Sequence, residues 1–160
     1  MPQDPIRPTD AEAITLAKSL IKNANFGALA FLDPKTRTPT VTRIAIGTTP
    51  DGVPLTLISD LSAHTKALRA DSNCGLLLGE PDGKGDPLTH PRISVQAVAS
   101  FVNRSAPEHE ALRGHYLSTH PKSKLYIDFA DFSFVTFKVT SAALNGGFGK
   151  AYHLTAEDLA

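Results

Sequence analysis

Apolar and polar positions fall into readable patterns along the chain. Ile14, Leu16, Ala17, Leu20 and Ile21 recur close to the 3.6-residue period, so the spacing predicts a helix that stops near 23–25. Thr9 or Asp10 stands where an N-cap is needed, and Glu12, three residues after Thr9, fits a capping box. Strand signals follow. Residues 26–32 are a compact apolar run, Asp33-Pro34-Lys35-Thr36 has turn chemistry, and 40–48 alternates with many β-branched side chains. Pro50-Asp51-Gly52 predicts a hairpin before a strand at 55–59. A short helix over 63–70 and a buried strand over 74–78 come next, and 80–91 is too rich in Gly and Pro for regular structure. Residues 92–102 alternate as a long strand, 108–118 read as a helix, and 132–140 show the cleanest alternation. The first eight residues hold three prolines and read as an irregular arm. Residues 144–154 read as an extended Gly-rich return, with Phe148 as its apolar anchor and a short helix closing the chain.

The first three strands are joined by tight turns, which implies antiparallel pairing, and βαβ alternation is absent. The expected fold is mainly β of the α+β kind: an antiparallel barrel of about six strands with helices packed on its openings. Length and composition agree. A chain of 160 residues with 41% apolar side chains suits one domain over 1–160. Sixteen basic and sixteen acidic residues argue against a nucleic-acid partner, since phosphate neutralisation leaves a basic excess. No apolar run reaches the roughly 18 residues of a membrane span, and the start of the chain lacks a secretion signal, so a cytoplasmic protein is expected. Cys74 stands alone, which excludes an intrachain disulfide, and reads as a small core residue.

Several catalytic motifs fail on inspection. Gly146-Gly147-Phe148-Gly149-Lys150 lacks the first glycine and the hydroxyl of a phosphate loop, with Leu144 and Ala151 in those places. His109-Glu110 lacks the second histidine of a zinc-protease helix, because position 113 is arginine. His109, His115 and His120 read as solvated polar positions. The informative stretch is 57–68. A strand ends at Ser59, Ser62 is placed to cap a helix, and the first turn carries His64, Thr65 and Lys66. Unpaired N–H groups, hydroxyls, an imidazole and an ammonium together suit a phosphate monoester. The bland alternative is an ordinary capped helix with a surface lysine. Arg43 lies mid-strand one hairpin away, and Arg92 opens another strand. Two strand arginines near a capped helix start make a phosphate cradle.

These segments carry a resemblance. Thr-Val-Thr-Arg-Ile-Ala-Ile around Arg43, Ile-Ser-Asp-Leu-Ser-Ala-His-Thr-Lys-Ala-Leu over 58–68 and Pro-Arg-Ile-Ser-Val-Gln-Ala over 91–97 resemble the FMN-binding split-barrel proteins related to pyridoxamine 5'-phosphate oxidase. Residues 120–132 and 144–151 look most like the haem-utilisation branch of that superfamily. The resemblance implies a six-stranded split barrel and a homodimer with FMN at the subunit interface. It implies that Arg43, Ser59, Ser62, His64, Thr65 and Lys66 hold the cofactor and that Arg92 faces it from the partner side. The chain departs from the oxidase in having no tryptophan and no arginine signature near its end, which argues against pyridoxamine phosphate oxidation. The branch ligates haem through a late histidine, and His153 is the residue that matches; it also often continues into a further domain, where this sequence stops at Ala160. Three readings follow: an FMN-dependent oxidoreductase acting on a small molecule, a haem-binding or haem-degrading protein on the same barrel, and a non-catalytic flavin-binding protein.

Overall fold

The computed structural model describes residues 4–160. Helix α1 spans Ala11–Asn23 and is capped by Asp10, whose carboxylate accepts from the Ala13 amide at 2.8 Å. The expected Thr9–Glu12 box does not form, because the Thr9 hydroxyl donates to the His153 carbonyl instead. Ala13, Ala17 and Ile21, one turn apart, are the buried stripe. Strands β2 (Phe26–Leu32) and β3 (Pro39–Ala45) form the first hairpin. The chain then bends at Ile46, whose amide donates to the Asn25 carbonyl, and continues as β4 (Gly47–Thr48) beside β5 (Pro54–Ser59). The buried Thr56 hydroxyl donates 2.6 Å to the Ala45 carbonyl, satisfying an oxygen that the bend takes out of the ladder.

Helix α2 (Ala63–Ala70) leads to β6 (Asn73–Leu78), and β7 (Arg92–Phe101) follows the 80–91 segment. Helix α3 (Glu108–Thr119) precedes β8 (Phe132–Asn145), and β9 (Ala151–Thr155) returns along it. Helical turns at Pro121–Leu125 and Glu157–Leu159 complete the chain. One correction concerns the N-terminal arm. Ile6–Arg7 is a strand, β1, paired in parallel with β9; residues 1–3 of that arm lie outside the described residues.

The nine strands among the described residues join one sheet, rather than the expected six, and every pairing between them except β1–β9 is antiparallel. The pairings run from β2 through β6, β7 and β8 to β5, and β5 returns through β4 to the β3 segment beside β2. The sheet interior and α1 share one apolar core. A second core lies outside the sheet, where Leu112 and Tyr116 of α3 cover Leu55, Leu57 and Phe134. β5 is therefore buried on both faces, which explains its unbroken apolar run. Two histidines of the α3 region are packed rather than solvated. His120 stacks on Tyr116 at 4.3 Å, and His109 lies 5.5 Å from Phe134. The His120 Nε2 lies 3.2 Å from the Asn25 carbonyl, which only accepts, so the proton is on Nε2 and Nδ1 takes the Thr119 hydroxyl.

Candidate functional site

Two groups of residues emerge where the sequence suggested one. The first is the start of α2. Thr65 is buried, and its hydroxyl donates 2.6 Å to the Ser59 carbonyl. The Ser59 hydroxyl donates 2.6 Å to Asp131 and accepts from the Leu61 amide. Both are committed to joining β5, α2 and the segment before β8. Ser62 occupies the N-cap position without a side-chain cap bond. His64 is half-buried with its ring 6.5 Å from Phe31, edge on, and burial pushes its pKa down, favouring the neutral ring. Lys66 is exposed.

The second group lies on the outer face of the sheet. Alternation sends Leu29, Leu76, Val95, Ala142 and Leu154 inward and leaves their neighbours outward. Registers then set those outward residues in one cross-strand row: Arg43, Ala28, Leu77, Ser94, Ala143 and His153. A parallel row holds Val41, Ala30, Gly75, Gln96 and Ser141. The register that aligns Ser141 with Gln96 depends on a bulge, with Thr140 as the extra residue. Most of these side chains are small (Ala28, Ala30, Gly75, Ser94, Ser141 and Ala143), so the face is hollowed between Val41 and His153. A depression of about 500 Å3 runs over the β6–β8 part as far as His153. A second, of about 400 Å3, adjoins it at Ala28, Val41 and Leu77 and is walled by Phe26, Arg43, Glu80, His90 and Arg92.

The chemistry of the two ends differs. Arg43 stacks on the Phe26 ring, 5.4 Å from its centroid, and makes no ion pair among the described residues. Arg92 donates 2.9 Å to the Leu88 carbonyl and faces no carboxylate within ion-pair range among the described residues. Two guanidiniums thus line this depression without an ion-pair partner among the described residues, and the Glu80 carboxylate lines it with them. At the other end the exposed His153 ring makes no hydrogen bond among the described residues, while its backbone carbonyl takes the Thr9 hydroxyl. Arg43 and Arg92 are thus brought together, as the sequence suggested. The depression they line does not include Ser59, Ser62, His64, Thr65 or Lys66. His90, Phe26 and the small-residue floor were not among the residues singled out from sequence; outward alternation of 28, 75, 77, 94 and 143 is the signal that marks the floor.

A mostly antiparallel sheet that returns on itself around a helix-sealed core, with a concave outer face, is the architecture of a split barrel. Residues 8–159 match the CREG β-barrel family, and the chain belongs to it. The likeness to split-barrel proteins and their haem-utilisation branch, read from the sequence, is borne out. A haem-binding protein from Mycobacterium smegmatis has a solved structure with TM-score 0.84 and 27% identity, over 96% of this chain and 61% of its own. Another solved chain is 42% identical with TM-score 0.87, over 96% of this chain and 98% of its own. The "Non-canonical heme oxygenase HOZ, chloroplastic" of Arabidopsis thaliana is 38% identical over 86 residues, which are 53% of this chain and 25% of that protein. The chain thus matches about a quarter of the length of this curated relative. Flavin-binding proteins of the same fold are more distant in sequence. No helix among the described residues is long and apolar enough to cross a membrane.

Proposed function

We propose that this chain is a haem-binding protein that holds its ligand against the outer face of the sheet, between two copies of itself. The observation that carries the reading is the cross-strand row with the His153 imidazole at one end and the Arg43 guanidinium at the other, where Arg92 lines the same depression as Arg43. A flat apolar tetrapyrrole with acidic edges needs three things: an apolar floor, a nitrogen ligand and cations. Ala28, Leu77 and Ala143 supply the floor, His153 the nitrogen, and Arg43 with Arg92 the cations. Gly75 deepens the floor, since a Cβ there would rise beside the Ala30 Cβ at 3.6 Å. When bound, haem supplies the iron-centred redox and ligand-binding chemistry. The chain's own residues bind and orient it and exclude water from one face.

Spacing argues for the second copy. Arg43 and His153 are five strand intervals apart, roughly 24 Å along the sheet at about 4.8 Å per interval. That span far exceeds the reach from the centre of a tetrapyrrole to its own carboxylates. One ligand therefore takes His153 from one protomer and Arg43 from the other. Exposed Val41 and Leu77 on the same face, and Phe148 at 93% exposure in the turn beside it, supply apolar surface for the contact. Titration with hemin is the test. A Soret band saturating at one hemin per protomer is expected, and His153→Ala should shift or abolish it; an unchanged band in that variant sinks the assignment of the ligand. A flavin reading rests on the same arginines, with the phosphate of FMN as the anion. Tight FMN binding with no hemin binding would favour it.

A further inference from the structure

Residues 80–91 border the arginine end of the groove and are built as a flap. Its two ends meet at Gly79, where φ is +101° and a Cβ would stand 2.6 Å from the Pro91 carbonyl oxygen. Inside the flap, His90 Nε2 lies 2.6 Å from the Lys84 carbonyl oxygen and 3.6 Å from Asp82 Oδ1. A carbonyl only accepts, so Nε2 donates. The Asp86 carboxylate accepts from the Leu88 amide at 2.9 Å and its carbonyl from the Thr89 hydroxyl at 2.7 Å, which shapes the turn Pro87–Thr89. The Leu88 carbonyl at the centre of that turn receives the Arg92 Nη1 at 2.9 Å. The His90 imidazole thus ties position 84 to position 90, and the turn enclosed between them presents the Leu88 carbonyl that holds the Arg92 guanidinium. Gly83 and Gly85 are both at positive φ, and a Cβ at either would meet nothing within 4 Å.

We propose that His90 is a positioning residue: it fastens the flap so that the Leu88 carbonyl sets the Arg92 guanidinium beside Arg43, where it receives the acidic group of the ligand. This rests on the reading that an acidic group sits at that end. The group is an oxyanion, a tetrapyrrole carboxylate or a flavin phosphate, and two guanidiniums serve either. His90 borders the same depression, and its effect on the group runs through Arg92.

Calorimetric titrations with hemin, and separately with inorganic pyrophosphate, test the assignment on wild type, His90→Ala, His90→Gln, Arg92→Ala and the His90→Ala/Arg92→Ala double variant. His90→Ala and Arg92→Ala should each weaken binding about tenfold, and the double variant should be no weaker than Arg92→Ala, because the two act as one unit. Glutamine keeps an N–H donor for the Lys84 carbonyl, so His90→Gln should stay within about twofold of wild type. Amide exchange across 82–90 should quicken in His90→Ala before any ligand is added. Loss against hemin but not against its dimethyl ester names a carboxylate as the anion; loss against FMN but not riboflavin names a phosphate. Additive losses in the double variant, or unchanged affinity in His90→Ala, overturn the proposal. If wild type binds pyrophosphate with this pattern but no hemin, the haem reading falls and the flap stands. If it binds neither, both fall.

Discussion

Cys74 sits on β6, half-buried, with its Sγ 3.6 Å from the Ala97 carbonyl. Burial pushes its thiol up to about 11, against a mild lowering from a backbone hydrogen bond. The thiolate is the reactive form, so the folded protein should react slowly with a disulfide reagent at pH 8, and denaturant should speed the reaction by at least about a hundredfold. A faster reaction in the native state would contradict the core assignment. The same shift bears on stability. The unfolded thiol ionises near its ordinary value of 9.0 while the folded one holds its proton, so the unfolded state binds fewer protons above that pH. Stability should therefore fall as pH rises from about 9 towards 11, and Cys74→Ala should flatten that part of the curve. Thr65 and Ser59 give the contrasting lesson. From the sequence they read as ligand contacts; both hydroxyls are spent on the Ser59 carbonyl and Asp131. Local spacing shows that a hydroxyl stands near a helix start. It does not show a carboxylate 72 positions away that claims it.

At the scale of elements, helix 63–70 and strand 26–32 are as the pattern predicts, because each is fixed by its own apolar spacing and turn residues. β1 escaped notice since two residues among prolines carry no period, and among the described residues they pair with β9, far along the chain. Phe148, an aromatic between glycines, reads as an apolar anchor without revealing what it anchors to, and the turn leaves it outside its own barrel. The outward faces of the sheet strands were legible in alternation. Their alignment into one row was not, for it needs five registers and the Thr140 bulge. The segment 121–131 has no period either, and two arginines hold it. Arg104 donates to the carbonyls of Ile127, Asp128, Phe129 and Phe132, and Arg113 pairs with Asp128 at 2.7 Å. Arg104→Ala should cost about 1–2 kcal/mol in denaturant unfolding and quicken amide exchange over 127–132, discounting the bonds for their exposure. Exchange confined to its wild-type rate would show that the second core, not the arginine, orders the segment.

For the whole molecule, the proposed two-fold assembly has a sharp consequence. Sedimentation should give about twice 17.1 kDa at micromolar concentration. If each site takes His153 from one protomer and Arg43 from the other, His153→Ala and Arg43→Ala proteins should each bind hemin at least about tenfold more weakly. Mixing them under subunit exchange should then restore wild-type affinity at half of the sites in each mixed dimer, because one site regains both residues and the other loses both. No recovery after proven exchange would mean that each chain holds its ligand alone.

The arrangement around β8 also dictates when the molecule can exist at all. β7 lines one edge of this 14-residue strand along most of its length, and the opposite edge is shared, with β5 on residues 132–136 and β9 on 141–145. An early segment and the last one thus wait for the same late strand. On the ribosome, β2–β3 and β4–β5 can pair as they emerge, yet β5 stays an open edge until residue 136 has left the exit tunnel. Its apolar run is then unprotected while residues 60–136 are made, in the condition where strand edges recruit neighbouring chains. Folding in the tube should accordingly be slow for a chain of this size and limited by the long-range β5–β8 closure. In the cell, yield should respond more to the speed of translation beyond Phe132 than to the stability of the finished barrel.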